Sequence, residues 1–292
     1  MPKPPENDEQ WKKNVEPYLS NGVEMLGRSG DEIGCTCPFC DRPKFSINYL
    51  TGKAQCWSCW SGNQYTFVEV LYEDSSKGSP DYSKLSEAKG ISPTTLSQWG
   101  VVWHRLLRCW AMPGYSPEGK IRQLYRYQFS KKKFRWWATT GLGHGLFGVH
   151  LWDKSKPIAV ICEGAWDGMS LWEVMRGCRS QAGNLSVTTS DDNLLKEINV
   201  IAIPGCKSFR PEWARMFHGK VVHLFFDNDW PRLVPGGKEV AGAAREGLER
   251  AARLLSGSAT PPQEIHYLKW GPNHYTDKFK SGFDVSDALW EF

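Results

Sequence analysis

Val221-Val222-His223-Leu224-Phe225-Phe226-Asp227-Asn228-Asp229 is an apolar run that stops at two acids spaced one apart. Such a run predicts a strand buried on both faces, as in a parallel sheet. Acids at its C-terminal end stand where open α/β sheets hold ligands, in the crevice beyond the strand tips. Side chains alternate along an extended chain, so Asp227 and Asp229 point to the same side. Paired hard oxygens suit Mg²⁺. They equally suit a strand-end turn whose acids are merely solvated, and this stretch alone leaves both readings open.

A second stretch separates them. Pro157-Ile158-Ala159-Val160-Ile161-Cys162-Glu163-Gly164 predicts another buried strand, ending in an acid and a glycine. It runs into Ala165 to Met175, whose apolar residues have helical spacing. A strand, a Glu-Gly turn, a helix and a later strand ending Asp-x-Asp together resemble the TOPRIM domain. Bacterial and bacteriophage primases, type IA and type II topoisomerases and some nucleases share that domain. The resemblance implies that the acids hold catalytic Mg²⁺ or Mn²⁺.

The chain has 292 residues, 40% of them hydrophobic, enough for two or three domains with real cores. No run approaches the roughly 20 apolar residues of a membrane span. Met1 to Gln10 is polar and proline-containing, without the apolar core of a signal peptide. A soluble intracellular protein is expected. The net charge of +4 is unevenly spread. Residues 101–137 carry nine basic side chains and one acidic, whereas residues 1–100 carry ten and thirteen. That short positive segment predicts a polyanion-binding surface.

Nine cysteines include two C-x-x-C pairs, Cys37-Pro38-Phe39-Cys40 and, fifteen residues on, Cys56-Trp57-Ser58-Cys59. Between them, Phe45 to Tyr49, Thr51-Gly52-Lys53 and Ala54-Gln55 form a β-hairpin pattern. Two cysteine knuckles on a hairpin predict a zinc ribbon with four thiolates around a structural Zn²⁺. Cys35 offers an alternative Cys35-x-Cys37 pairing, but Cys37 and Cys40 mirror Cys56 and Cys59. So small a module has almost no core, and the metal is expected to supply its folding free energy. Trp57 and Trp60 could stack on unpaired bases or pack against Phe67 and Val70.

Before the ribbon, Trp11, Val15, Tyr18 and Leu19 have helical spacing. After it, Glu73 to Ser83 reads as a flexible linker. Ser92 is a plausible N-cap, followed by Pro93 at the first helical position. Arg122 to Phe129 predicts a strand, Ser130 to Lys132 a turn, and Phe134 to Ala138 the return strand. A hairpin alternating aromatic and basic residues suits a phosphate-tracking groove with stacking positions. Edge lysines that guard against aggregation are the competing explanation. Further strands are expected at Val200 to Gly205 and Glu264 to Leu268. Helices are expected at Pro211 to Phe217 and Glu239 to Leu255.

Taken in order, a four-cysteine ribbon, a basic lobe and the TOPRIM pattern resemble the replicative primases of bacteria and bacteriophages. The closest likeness is to the primase half of bacteriophage primase–helicases, over residues 33 to 290. The fold class expected is α/β, in an α+β multidomain arrangement. It comprises an N-terminal extension (1–32), a zinc ribbon (33–73), a linker (74–84), a basic mixed α/β lobe (85–156) and a TOPRIM domain (157–292). The TOPRIM domain is expected to have a parallel sheet flanked by helices. The resemblance implies that Glu163, Asp227, Asp229 and Asp284 are catalytic and bind metal, with Asp167 in support. It departs from the family after the Asp-x-Asp, where Trp230 to Gly237 intervene before the expected helix.

A DNA primase is therefore expected, joining ribonucleoside triphosphates on single-stranded DNA. Arg122, Arg126, Lys132, Lys133, Arg135 and Trp57 are its candidate nucleotide and template contacts, and the ribbon selects the start site. A Walker A loop is absent, which leaves a free-standing primase or a chain ending at a helicase boundary. A replicative helicase acting in trans and a phage-encoded origin in a bacterial cytoplasm are implied. Competing readings are a metal-dependent TOPRIM nuclease and a non-catalytic single-strand-binding or helicase-loading protein.

Overall fold

The computed structural model describes residues 8–128, 135–181, 184–187, 193–229, 231–234, 238–269 and 284–291. Contacts divide the chain into two compact units. The first holds Met1–Asp81, Gly100–Tyr115 and Lys120–Gly145; the second holds Tyr82–Trp99, Ser116–Gly119 and Leu146–Phe292.

The first unit opens with α1 (Glu9–Asn14) and α2 (Glu16–Leu19). Asp8 caps α1 by accepting the Trp11 N–H at 3.0 Å. Pro17 in the first turn of α2 fits a helix start, where no N–H partner is lost. Next comes a five-stranded antiparallel sheet in sequential order: β1 (Met25–Ser29), β2 (Glu32–Cys35), β3 (Phe45–Asn48), β4 (Ala54–Cys56) and β5 (Trp60–Gly62). The expected ribbon hairpin is β3–β4. Helix α3 (Gln64–Ser76) begins at a capping box in which Asn63 accepts from Tyr65 and Thr66. It carries order through the first residues of the expected linker. A second antiparallel sheet follows, ordered β6 (Val102–His104), β7 (Cys109–Tyr115), β8 (Ile121–Gln128) and β9 (Arg135–Ala138).

One hydrophobic core joins these parts, so the units cut across the boundaries expected from the sequence. Trp11, Val15 and Tyr18 from the first helices, Ile33, Phe45 and Ile47 from the ribbon, Phe67 and Leu71 from α3, and Ala111 and Leu124 from the second sheet are all buried in it. Trp60 lies 5.7 to 5.9 Å from the rings of Phe39, Phe45 and Phe67. The ribbon is thus not coreless, contrary to the sequence expectation. Its inner face is covered by apolar groups from outside residues 33–73, which a local reading of the cysteine module does not count.

The second unit begins with α4 (Ser83–Lys89) and α5 (Pro93–Gln98), the latter capped by Ser92 as expected. Its centre is a parallel four-stranded sheet ordered β13–β10–β14–β17. Strand β10 (Ile158–Cys162) leads to α6 (Ala165–Met175), a hairpin of β11 (Cys178–Gln181) and β12 (Asn184–Val187), and then β13 (Ile198–Ala202). The segment Pro211–Phe217 is a 3₁₀ helix. Strand β14 (Val221–Phe225) precedes a small hairpin of β15 (Arg232–Val234) and β16 (Lys238–Val240). Helix α7 (Ala243–Ser256), β17 (Glu264–Tyr267) and α8 (Val285–Glu291) complete the unit.

Two sequence expectations shift here. The helix expected from Glu239 starts at Ala243, because residues 238–240 pair with 232–234 in the extra hairpin. Strand β14 alternates buried and half-buried positions rather than being sealed on both faces. Its neighbour β17 is the sheet edge and mostly exposed, so His223 is covered on one side by the ring of His266 at 5.0 Å. No helix among the described residues is long and apolar enough to cross a membrane.

Candidate functional site

Parallel pairing of β10 with β14 aligns Cys162 with Phe225. Both strands therefore end at the same level, with Glu163 and Asp227 just beyond the tips. The Asp227 N–H donates to the Glu163 carboxylate at 3.3 Å, and the Glu163 N–H donates to the Phe225 carbonyl at 3.1 Å. Gly164 leaves room for a second acid: a Cβ there would lie 2.6 Å from the Asp167 carboxylate on the first turn of α6. Asp167 is 6% exposed and accepts from the Ser286 hydroxyl at 2.9 Å.

Asp229 accepts the Ala244 N–H at 2.9 Å, which makes it the side-chain partner of the α7 N-terminus. Gly242 permits this approach, since a Cβ there would sit 2.4 Å from the Asp229 carbonyl. Asp284 similarly accepts the Asp287 N–H at 2.8 Å where α8 begins. The local folds that place these acids are helix starts and strand ends.

Crowded carboxylates raise one another's pKa. Burial, then the charges of Glu163, Asp167, Asp284 and Asp229, push Asp227 up to about 9. Burial and Asp284 carry Asp167 up to about 7. Burial raises Glu163 to about 6, with Asp229 adding to it. Lys89, at the end of α4, acts on Asp167 and Asp284, and its ammonium lies 4.9 Å from the Trp166 ring centroid. These acids repel one another and present hard oxygens, so a divalent cation fits the donor chemistry. Among the described residues only the four cysteines are gathered closely enough for a closed cage, so these acids form a more open set. That suits Mg²⁺, which keeps waters and shares its sphere with substrate phosphates.

The four cysteines form the tighter centre. Their sulfurs all lie within 4.8 Å of one another, with Cys37 to Cys59 at 3.5 Å and Cys40 to Cys56 at 3.7 Å. Sulfurs around a tetrahedral zinc with Zn–S bonds of about 2.3 Å stand about 3.8 Å apart, so the set fits Zn²⁺. Against a burial penalty, the Ser58 N–H and the neighbouring thiols bring Cys56 down to about 7, while burial raises Cys37 and Cys59, so Cys56 ionises first in the metal-free set. Cys35 is 1% exposed, bonded to the Ile33 carbonyl and pushed up to about 12 by burial. It belongs to the core and not to this set.

Three comparisons with known proteins complete the description. No family model and no curated protein matches the sequence. Among solved structures, the zinc-binding and RNA polymerase domains of the Aquifex aeolicus primase match at TM-score 0.42 and 14% identity, covering 96% of this chain and 83% of that one. The primase fragment of the bacteriophage T7 primase–helicase matches at TM-score 0.42 and 18% identity, covering 86% and 91%. The RNA polymerase domain of the Mycobacterium tuberculosis primase matches at TM-score 0.46 and 12% identity, covering 75% and 76%. The chain is similar in structure to bacterial and phage primase domains.

The basic candidates fare unevenly. Arg135 is exposed at the start of β9, and Arg122 is half-buried with its guanidinium 5.1 Å from the Tyr65 ring centroid. Lys132 and Lys133 lie outside the described residues. Arg126 is not a surface cation: it is 1% exposed. Its guanidinium donates to the Ser20 carbonyl and, at 2.9 Å, to the Ala138 carbonyl. It lies in the stretch 123–127 of β8, which is buried on both faces, whereas Arg122 stands just outside that stretch. Trp57 is 77% exposed, whereas Trp60 is packed away. Sequence reasoning missed Lys89; its position five residues after Lys84 in a polar segment gives no signal of the acids that α6 and α8 bring beside it.

Proposed function

We propose that this chain is a DNA primase that joins ribonucleoside triphosphates on a single-stranded DNA template. The observation that supports this best is the meeting of Glu163 and Asp227 at adjacent tips of a parallel sheet, with Asp167, Asp229 and Asp284 acting on them electrostatically. A protein that only bound nucleic acid would gain nothing from such a costly cluster. Glu163, Asp227, Asp229 and Asp284 would hold Mg²⁺ or Mn²⁺. When bound, the cations would lower the pKa of the attacking 3′-hydroxyl and offset the triphosphate charge.

The chain's own groups do the rest. The Asp227 N–H fixes the Glu163 carboxylate, the Ala244 N–H in the first turn of α7 fixes Asp229, and Ser286 fixes Asp167. Arg122 and Arg135 supply fixed positive charge for phosphates, with Lys132 and Lys133 as further candidates. The zinc-held ribbon selects the template start site. A helicase acting in trans would deliver the template.

The test is incubation of labelled ATP or GTP with short single-stranded DNAs and Mg²⁺ or Mn²⁺. Template-dependent oligoribonucleotides are expected, and none from Asp227→Ala or Asp229→Ala. Degradation of template without product would overturn this reading in favour of a nuclease.

A further inference from the structure

The ribbon sheet has an inner and an outer face. Phe45 and Ile47 in β3, and Ala54 and Cys56 in β4, point into the core, so Ser46, Asn48 and Gln55 point outward. A cavity of about 970 Å³ lies on that outer side. Its lining residues are of three kinds.

Some are occupied within the chain. The Asn48 amide donates to Glu32 at 2.8 Å and its oxygen accepts from Thr51, while Asn63 and Thr66 are bound up in the α3 cap. Others are not. The side chains of Ser46, Gln55 and Ser61 make no hydrogen bond to the described residues, although all three face the cavity. They also stand in register, Ser46 opposite Gln55 and Gln55 opposite Ser61, forming one row across three strands. The third kind is Trp57, a large aromatic left mostly exposed at the rim.

We propose that this row reads the edges of a short run of unpaired bases, with Gln55 as the principal reader and Trp57 as the stacking platform. The proposal rests on the ribbon's role as template selector and says how the selection is made. Bases of a single strand are recognised by stacking on aromatic side chains and by hydrogen bonds to their edges. An amide offers a donor and an acceptor together, and a hydroxyl offers either, so the row can discriminate between bases. Strands about 4.8 Å apart spread the three side chains over about 10 Å. That is the reach of about three stacked bases at about 3.4 Å each. Only Lys53 and Glu32 bring charge to the lining, and Glu32 already accepts from Asn48. Phosphate tracking is therefore not what this face is built for.

The experiment is selection from a random single-stranded DNA library by the zinc-loaded full chain, without nucleotides, followed by sequencing. A short enriched motif is expected. Gln55→Leu should flatten the preference at one base position by roughly tenfold. Gln55→Glu, which replaces donors with acceptors, should change which base is preferred there. Neither should alter the salt dependence of binding, which counts phosphate contacts. Trp57→Ala should weaken binding to all members of the motif alike. No enriched motif, or a motif unchanged in both Gln55 variants, overturns the proposal. Base selection that responds to Gln55 in a chain that makes no oligoribonucleotides sinks the primase reading alone. Primer synthesis whose start sites ignore Gln55 sinks this inference alone.

Discussion

Asp227→Asn should stabilise the metal-free protein while abolishing its activity. In the fold, burial and then the neighbouring acids push Asp227 up to about 9, against 3.8 for an ordinary aspartate. Between those values the folded state binds more protons than the unfolded state, so stability falls as pH rises from about 4 to about 9. At pH 8 the penalty approaches about 6 kcal/mol, at 1.36 kcal/mol per pH unit above 3.8. Asparagine removes the charge but keeps a partly buried polar group, which costs about 1–3 kcal/mol. Relaxation of the neighbouring acids takes a further share, leaving a net gain of about 2 kcal/mol. For a chain of this size that is about 4–8 °C in Tm. Thermal melts with EDTA at pH 8 and pH 5 provide the assay. The gain should be present at pH 8 and nearly gone at pH 5, and Mg²⁺ should stabilise the wild type more than the variant. A variant less stable than wild type at pH 8, or an equal gain at both pH values, would refute the electrostatic account.

Asp229→Ala should lose primer synthesis and also about 1 kcal/mol of stability, read in urea melts, because it removes the side-chain cap of α7. Chelating zinc should leave most far-UV circular dichroism and a cooperative melt in place, since Phe45, Ile47 and Phe67 keep their shared core. Base selection should be lost; global unfolding on chelation would show that the metal supplies the folding energy after all. Arg126→Ala should destabilise the chain by about 3 kcal/mol or more in denaturant titrations, because carbonyls that held the guanidinium lose their donor. Arg135→Ala should leave stability within about half a kcal/mol and reduce the salt slope of single-strand binding by about one.

How legible was all this in the sequence? Strands ending in acids were readable because two signals coincide there, a run of β-branched and aromatic residues and an abrupt change to Asp or Glu. The cysteine spacing was readable for the same reason, as covalent reach restricts which thiols share an ion. What could not be read was which groups outside a motif complete it. Trp11 and Tyr18 look like any amphipathic start, yet they close the inner face of the ribbon and turn a module without a core into part of a larger one. Arg126 looks like its neighbours Arg122 and Arg135, and only the cover that the rest of the fold lays over both faces of residues 123–127 decides that it is buried. Lys89 is the converse, a lysine in a polar segment that tertiary structure sets beside two acids. Each miss has one origin: a local pattern fixes which way a side chain points, and the neighbour it meets comes from elsewhere in the chain.

That distinction bears on how the acids are held. A protein could stabilise clustered carboxylates with arginines, but such pairing would neutralise the charge a cation is meant to find. Here the fixing contacts come mostly from neutral donors. Asp229 is held by the Ala244 amide in the first turn of a 14-residue helix, Asp284 by the Asp287 amide, Glu163 by the Asp227 amide and Asp167 by a serine hydroxyl. Amide dipoles constrain geometry and lower the cost of ionisation without cancelling the charge. Lys89 is the exception, a full charge that acts on Asp167 and Asp284. Among the described residues no lysine or arginine pairs with Glu163 or Asp227, while Arg245 and Lys269 line the cavity beside Asp227 and Asp229 without pairing to them. Replacing Lys89 with methionine should then disturb Asp167 and Asp284 and spare Mg²⁺ affinity at Glu163 and Asp227. If the affinity fell more than a few-fold, the lysine would be part of the cation's own neighbourhood and this division of labour would be wrong.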